Sequence, residues 1–217
     1  MNLLLRFAAV CLLAATGAVA AAPAAPVQGQ DYDVIDGGTP YQAAPGKVEV
    51  AEVFGYLCPH CAHFEPVIEA WARKLPPQAA LVPVPADFRD DWVPYARAYF
   101  AAQALGVAAR SHQAMFDALH VDESLPLSAA SPEEIATFYQ RFGIAPARFL
   151  AAYRAPSVDA QMKRAREFIV RSGVDGTPTL IVAGRYRVTA DSRDKQLATA
   201  RWLVDRELAA KRHTAAR

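Results

Sequence analysis

VEVAEVFGYLCPHCAHFEPVIEAWARKL, residues 48–75, is the stretch on which the fold turns. Its first part, Val48 to Tyr56, is an apolar strand-like run, and its second part repeats at helical spacing, with Cys61, Phe64, Ile68, Trp71 and Leu75 on one face. Cys58, Pro59, His60 and Cys61 stand at the junction, so the cysteines fall on the first helical turn. Unpaired backbone N–H groups and the positive end of the helix dipole favour an anion there, and the anion a cysteine supplies is a thiolate. Pro59 suits the first helical position, where no backbone donor is needed. These residues read as a dithiol/disulfide redox site.

Working outward, the strand carries one anomaly. Alternate strand residues share a face, and Glu52 interrupts the row Val48, Val50, Phe54 and Tyr56. Either its carboxylate reaches solvent, as glutamates mostly do, or it is buried, in which case its pKa rises and it can exchange protons with a buried thiol. On the helix side Pro66 predicts a bend, and Pro76 and Pro77 a stop. Leu81 to Pro85 reads as a second, parallel strand, kept from a central place by Pro83 and Pro85.

From Trp92 to Gly173 the pattern is helical throughout. Tyr95, Tyr99, Ala102 and Leu105 form one stripe, and His112, Met115, Phe116 and Leu119 a second. Ser131, Pro132, Glu133 and Glu134 open a third helix with a cap and a negative first turn. Pro146 to Tyr153 and Val158 to Arg171 read as shorter helices. Strands then return, with Thr179 to Val182 and Tyr186 to Val188 as a hairpin around Gly184, and Leu197, Val204 and Leu208 mark a closing helix. Tyr32 to Ile35 is a short edge strand.

The bulk numbers narrow the functional classes. With 217 residues and a 53% hydrophobic fraction the chain can build one packed domain with an insertion. Lys plus Arg against Asp plus Glu is 23 against 22, which argues against nucleic acid as a partner. Arg6 followed by the apolar run Phe7 to Ala20, ending Ala18, Val19, Ala20, has the layout of a secretory signal cleaved near Ala20. Cleavage removes Cys11 and leaves Cys58 and Cys61 as the cysteines of the mature protein. A bridge between residues so close closes too small a loop to stabilise much, so the pair is functional, not architectural.

With the Cys-Pro-His-Cys centre, the strand ending Glu52 to Leu57, Phe64 and Glu65 after it, and the segment Gly176, Thr177, Pro178, Thr179 all in view, the chain resembles the thioredoxin superfamily. More narrowly, it resembles the DsbA-type thiol:disulfide oxidoreductases of the bacterial periplasm. The resemblance implies a mixed central sheet flanked by helices, with an all-helical insertion. It divides the chain into a signal (1–20), a flexible spacer (21–30), thioredoxin-like parts (31–91 and 174–217) and the insertion (92–173). It also implies that Pro178 follows a cis bond, in a loop that lies against Cys58 and offers backbone groups to an extended substrate. Thr177 departs from the aliphatic residue many such relatives carry; a hydroxyl beside the sulfur alters thiolate stability and partner choice.

The expected chemistry is attack of a substrate thiolate on Cys58, with Cys61 as the buried partner and His60 able to donate a hydrogen bond or positive charge to the Cys58 thiolate. The disulfide is its own redox group, with no further cofactor. The expected partners are reduced, unfolded exported proteins and a quinone-coupled membrane oxidase of the DsbB type, and the protein is expected to be a monomer. A disulfide isomerase or reductase of the same superfamily is the runner-up. A metal site on Cys58, His60, Cys61 and His63 is disfavoured, because no second cysteine pair exists and one tight turn would have to supply every ligand. Covalent haem is disfavoured because Ala62 follows Cys61. His112, His120 and His213 lie on helical stretches with no partner motif, as surface or core histidines.

Overall fold

Between an edge strand β1 (Tyr32–Val34) and helix α1 (Pro59–Ala72) runs β2 (Val48–Phe54), and all 7 of its residues are buried. The structure, a computed structural model, describes residues 24–42, 44–128 and 130–215. The expected signal, with Cys11, and residues 21–23 of the spacer lie outside the described residues. Helices cover both faces of β2, which is why Glu49, on the face opposite Glu52, is buried as well. Its carboxylate is met by the backbone N–H groups of Tyr41 and Gln42, each at 2.6 Å.

After α1 come β3 (Ala79–Pro85), the helices α2 (Val93–Ala104), α3 (Ala108–His120), α4 (Pro132–Tyr139), α5 (Pro146–Tyr153) and α6 (Pro156–Arg171), then β4 (Thr179–Val182), β5 (Tyr186–Val188) and α7 (Arg193–Ala215). The strands form one mixed sheet in the order β1-β5-β4-β2-β3, in which β2 and β3 are parallel and the other pairs antiparallel. The sheet is thus of the thioredoxin type, with the helical block inserted between β3 and β4. β3 takes an edge, as its prolines require: Pro83 and Pro85 have no N–H to give to a further strand.

Local chemistry sets the helix limits. Ser131 caps α4 with a reciprocal box, its hydroxyl accepting from the Glu134 N–H while Glu134 accepts from the Ser131 N–H. Gly143 closes the 3-10 turn Gln140–Phe142 in the left-handed conformation that glycine adopts without strain. α1 runs unbroken through Pro66 but ends at Ala72, short of the Leu75 that the apolar spacing reaches. The reason is Pro76, which disfavours helical geometry at the residue before it; Leu75 still packs on the core from the turn.

Two apolar clusters result. One joins α1, through Phe64 and Ile68, to β4, β5 and the Leu197, Leu203 and Val204 side of α7. The other joins the end of β2 to the aromatic stripes of the helical block. Cys58 and Cys61 belong to this second cluster, where the sheet and the insertion meet.

Candidate active site

β2 ends at Phe54, and the chain turns through Gly55 to Leu57 so that the Cys58 N–H donates to the Gly55 carbonyl at 3.0 Å. Cys58 then occupies the N-cap of α1 in extended geometry, with Pro59 in the first turn and no side-chain cap on the helix. The sulfur therefore sits where a capping oxygen would, in front of free N–H groups. Cys58 is 7% exposed and Cys61, one turn further in, 1%. The two sulfurs are not bonded to each other.

Their thiols are pushed in opposite directions. Cys58 is lowered to about 4, first by a hydrogen bond from the Cys61 thiol, then by the Thr177 side chain and the backbone N–H groups of Cys61 and His60, all against the cost of burial. Burial, followed by the same sulfur–sulfur hydrogen bond, pushes Cys61 far up. Cys61 thus keeps its proton and lends it to its neighbour.

Thr177 and Pro178 are brought to this sulfur from the far end of the chain. The bond between them is cis, and the Cys58 thiol lies 3.4 Å from the Thr177 carbonyl oxygen. The Thr179 hydroxyl donates to the Gly176 carbonyl at 2.8 Å and closes the turn. Pro59 and His60 are exposed beside Cys58, and it is the His60 backbone that supports the thiolate.

Glu52 is placed deeper, 1% exposed, with neither carboxylate oxygen hydrogen-bonded. In register it faces Pro83 on β3 and Leu180 on β4, neither of which offers a side-chain donor. Burial, and then the charge of Glu65, raise its pKa well above the ordinary carboxylate range.

Sequence reasoning missed a grip on the turn before Cys58. Two histidines of α3 hold Tyr56: His120 Nε2 donates to its carbonyl at 2.7 Å, and His112 Nδ1 shares a proton with its hydroxyl at 2.7 Å. The other nitrogen of His112, Nε2, lies 3.3 Å from Glu65 Oε2 on α1, with both side chains buried. The helical period puts His112 on an apolar stripe and leaves His120 as a surface or core histidine, and the partners of both come from distant segments. Among the described residues no group of three or more His, Cys, Asp or Glu side chains is gathered as a metal would require. No described helix is long and apolar enough to cross a membrane.

The profile of the DSBA-like thioredoxin domain matches residues 81–200. The thiol:disulfide interchange protein DsbA of Burkholderia cepacia is 36% identical over 187 residues, 86% of this chain and 87% of the relative. Its counterpart in Azotobacter vinelandii is 39% identical over 171 residues, 77% and 78% of the two chains. Among solved structures, the oxidoreductase DsbA from Xylella fastidiosa superposes with a TM-score of 0.83 at 44% identity, covering 85% of this chain and 98% of its own. With the Cys58–Cys61 pair at a helix start and the cis-Pro178 loop against it, the chain belongs to the DsbA family of thiol:disulfide oxidoreductases.

Proposed function

We propose that the protein works in the periplasm, after cleavage near Ala20, as a donor of disulfides to reduced, unfolded exported proteins. The observation that supports this direction is the opposed state of the two sulfurs. A Cys58 thiolate titrating near 4 makes the reduced form the stable one at neutral pH. Each unit below ambient pH is worth about 1.4 kcal/mol, or roughly 30 mV for a two-electron couple. Giving the disulfide away is therefore downhill.

In the forward step a substrate thiolate attacks Cys58 Sγ, the Cys58–Cys61 bond breaks, and Cys61 leaves with the electron pair and takes up a proton. A second substrate thiolate then attacks the substrate sulfur of the mixed disulfide and expels Cys58 as a stable thiolate. Two substrate thiols are oxidised and the cysteine pair is reduced, with no cofactor beyond that pair. The Thr177–Pro178 loop presents its backbone to the extended substrate beside the sulfur. Exposed Pro59 and His60 form the rest of that rim, the His60 ring being free to offer a proton or charge to the departing thiolate. A quinone-coupled membrane oxidase of the DsbB type returns the pair to the disulfide.

Equilibration with glutathione buffers tests the reading. The protein should remain reduced at ratios that oxidise thioredoxin; equal ease of oxidation would overturn it. Cys61→Ser should trap mixed disulfides with client proteins and Cys58→Ser should abolish exchange, whereas equal trapping by both would reverse the assignment.

A further inference from the structure

The turn that carries Cys58 is gripped at its second residue. Because the Cys58 N–H closes on the Gly55 carbonyl, Tyr56 and Leu57 are the central residues of a β-turn that ends at the redox sulfur. Apart from glycines, only Glu123 and Ala183 among the described residues have a positive φ, so Leu57 does not and the turn is not of type II. The central peptide group therefore has the type I orientation, which turns the Tyr56 carbonyl toward α3. That carbonyl takes no part in the bond that closes the turn. Tyr56 is buried, so the oxygen needs a donor from elsewhere in the protein.

His120 is that donor. Its Nε2 lies 2.7 Å from the Tyr56 oxygen, and since a carbonyl only accepts, Nε2 carries the hydrogen whether or not the ring is charged. The arm that presents it is stiff. His120 is the last residue of α3, following Met115, Phe116 and Leu119, all buried. Past it the chain is stitched back to the helix, the Val121 and Asp122 N–H groups donating to the Asp117 carbonyl and that of Leu125 to the Ala118 carbonyl. The Phe116 ring lies against both the His120 and the Tyr56 rings, with centroids 6.3 and 4.9 Å away. A side chain locked by packing in this way fixes the position of the group it bonds.

That group stands two positions before Cys58. The turn leaves β2 and is held from α3, whereas Thr177 is carried by the loop before β4, so any tilt of the turn moves the sulfur against Thr177. Without the imidazole N–H the Tyr56 carbonyl has to turn toward water to be satisfied, and the central peptide tilts with it.

We propose that His120 is a positioning residue of the redox centre: through the Tyr56 carbonyl it holds the turn, and with it the Cys58 sulfur, in register with the first turn of α1 and with Thr177. The inference rests on the exchange reaction proposed above. Its role is geometric, and no covalent bond changes at His120. The other grip on Tyr56, from His112 Nδ1 to the hydroxyl at 2.7 Å, acts at the far end of the side chain and supplies the control.

Three variants separate position from stability. His120→Phe keeps a ring beside Phe116 and removes the N–H, His120→Gln puts an amide nitrogen at about the reach of Nε2, and Tyr56→Phe removes the hydroxyl bond while the main chain stays in the grip of His120. In His120→Phe the ultraviolet titration of Cys58 should rise by about one unit, and the glutathione equilibrium should shift about tenfold toward the disulfide, which is the same change expressed as an equilibrium. His120→Gln should regain most of both. Tyr56→Phe should lose stability in urea yet keep the wild-type titration and equilibrium. If His120→Phe does not fold, His120→Asn, polar but too short to reach the carbonyl, should show the same two shifts. A titration and an equilibrium at wild-type values in the variant that lacks the N–H would make His120 a stabilising contact only and overturn the proposal. Equal shifts in His120→Gln or in Tyr56→Phe would also overturn it, because packing or general loosening would then be the cause. A wild-type protein as easily oxidised as thioredoxin overturns the donor reading instead, and the titrations of the variants still decide for or against His120.

Discussion

The Cys58 thiol and the Thr177 carbonyl oxygen are 3.4 Å apart, across 119 positions of sequence. The redox centre is therefore assembled by the fold, because α1 supplies the sulfur and the loop before β4 supplies its neighbour. The Thr177 side chain also helps hold the Cys58 thiolate, behind the larger effect of Cys61. Hydrogen bonds to charged groups are worth about 1.5–3 kcal/mol, and this one is partly open to water. Thr177→Val should accordingly raise the Cys58 titration by about one unit and make the protein a weaker oxidant. Ultraviolet titration of the thiolate and the glutathione equilibrium should move together; movement of one alone would separate the hydroxyl from the potential.

The same thiolate makes the stability of the reduced form depend on pH. A group whose pKa is lowered on folding stabilises the folded state fully above its unfolded pKa, about 8.5 for a thiol. That contribution drains away as pH falls to about 4, the folded value of Cys58. Cys61, whose pKa is raised, adds nothing in this window because it is protonated both folded and unfolded. The oxidised protein has neither thiol. The difference in Tm between reduced and oxidised protein should therefore grow from acid toward pH 8 in favour of the reduced form. A difference independent of pH would contradict the low Cys58 titration.

Much of this arrangement is legible in the chain because its signals are local. A strand run, a proline in the first turn and an apolar helical stripe put Cys58 and Cys61 at a helix start. Pro83 and Pro85 send β3 to an edge for the same kind of reason. What stays hidden depends on which segments dock. The period of α3 places His112 among Met115, Phe116 and Leu119, but nothing in that period points to Glu65 or Tyr56. Glu49 is buried because Tyr41 and Gln42 bring backbone N–H groups to its carboxylate while Tyr41 packs on Phe168 of α6, and no local pattern announces that docking. Glu52 stays ambiguous in sequence because its burial depends on Pro83 and Leu180 lying beside it.

Glu52 is costly where it stands. Its carboxyl is buried without a hydrogen-bond partner, and such a group costs about 1–3 kcal/mol, more when charged. Glu52→Leu should stabilise the protein against urea by an amount of that order at neutral pH. A carboxyl whose folded pKa is raised loses stability as pH rises past the ordinary carboxylate range, about pH 4, because the unfolded chain ionises first. The gain in the variant should therefore be smaller in acid and larger at neutral pH. Equal gains at both would place the cost in packing instead of charge.

Trp92 lies over Gly55, so that a Cβ built on the glycine would run into the indole ring. Gly55 is also the acceptor for the Cys58 N–H, which ties this contact to the redox turn. In Gly55→Ala either the ring or the turn has to move. The turn is held at both ends, by the Gly55–Cys58 bond and by His120 on the Tyr56 carbonyl. The indole is a half-buried side chain at the start of α2, backed by Phe88 at 5.8 Å. The ring should therefore yield. Gly55→Ala is expected to cost about 1–3 kcal/mol of stability, as overpacking does, while the Cys58 titration stays near its wild-type value. Trp92→Leu in the same chain should recover part of that cost, giving a coupling energy of about 1 kcal/mol in a double-mutant cycle. Additive losses, or a Cys58 titration that climbs in Gly55→Ala alone, would mean that the turn gives way before the indole does.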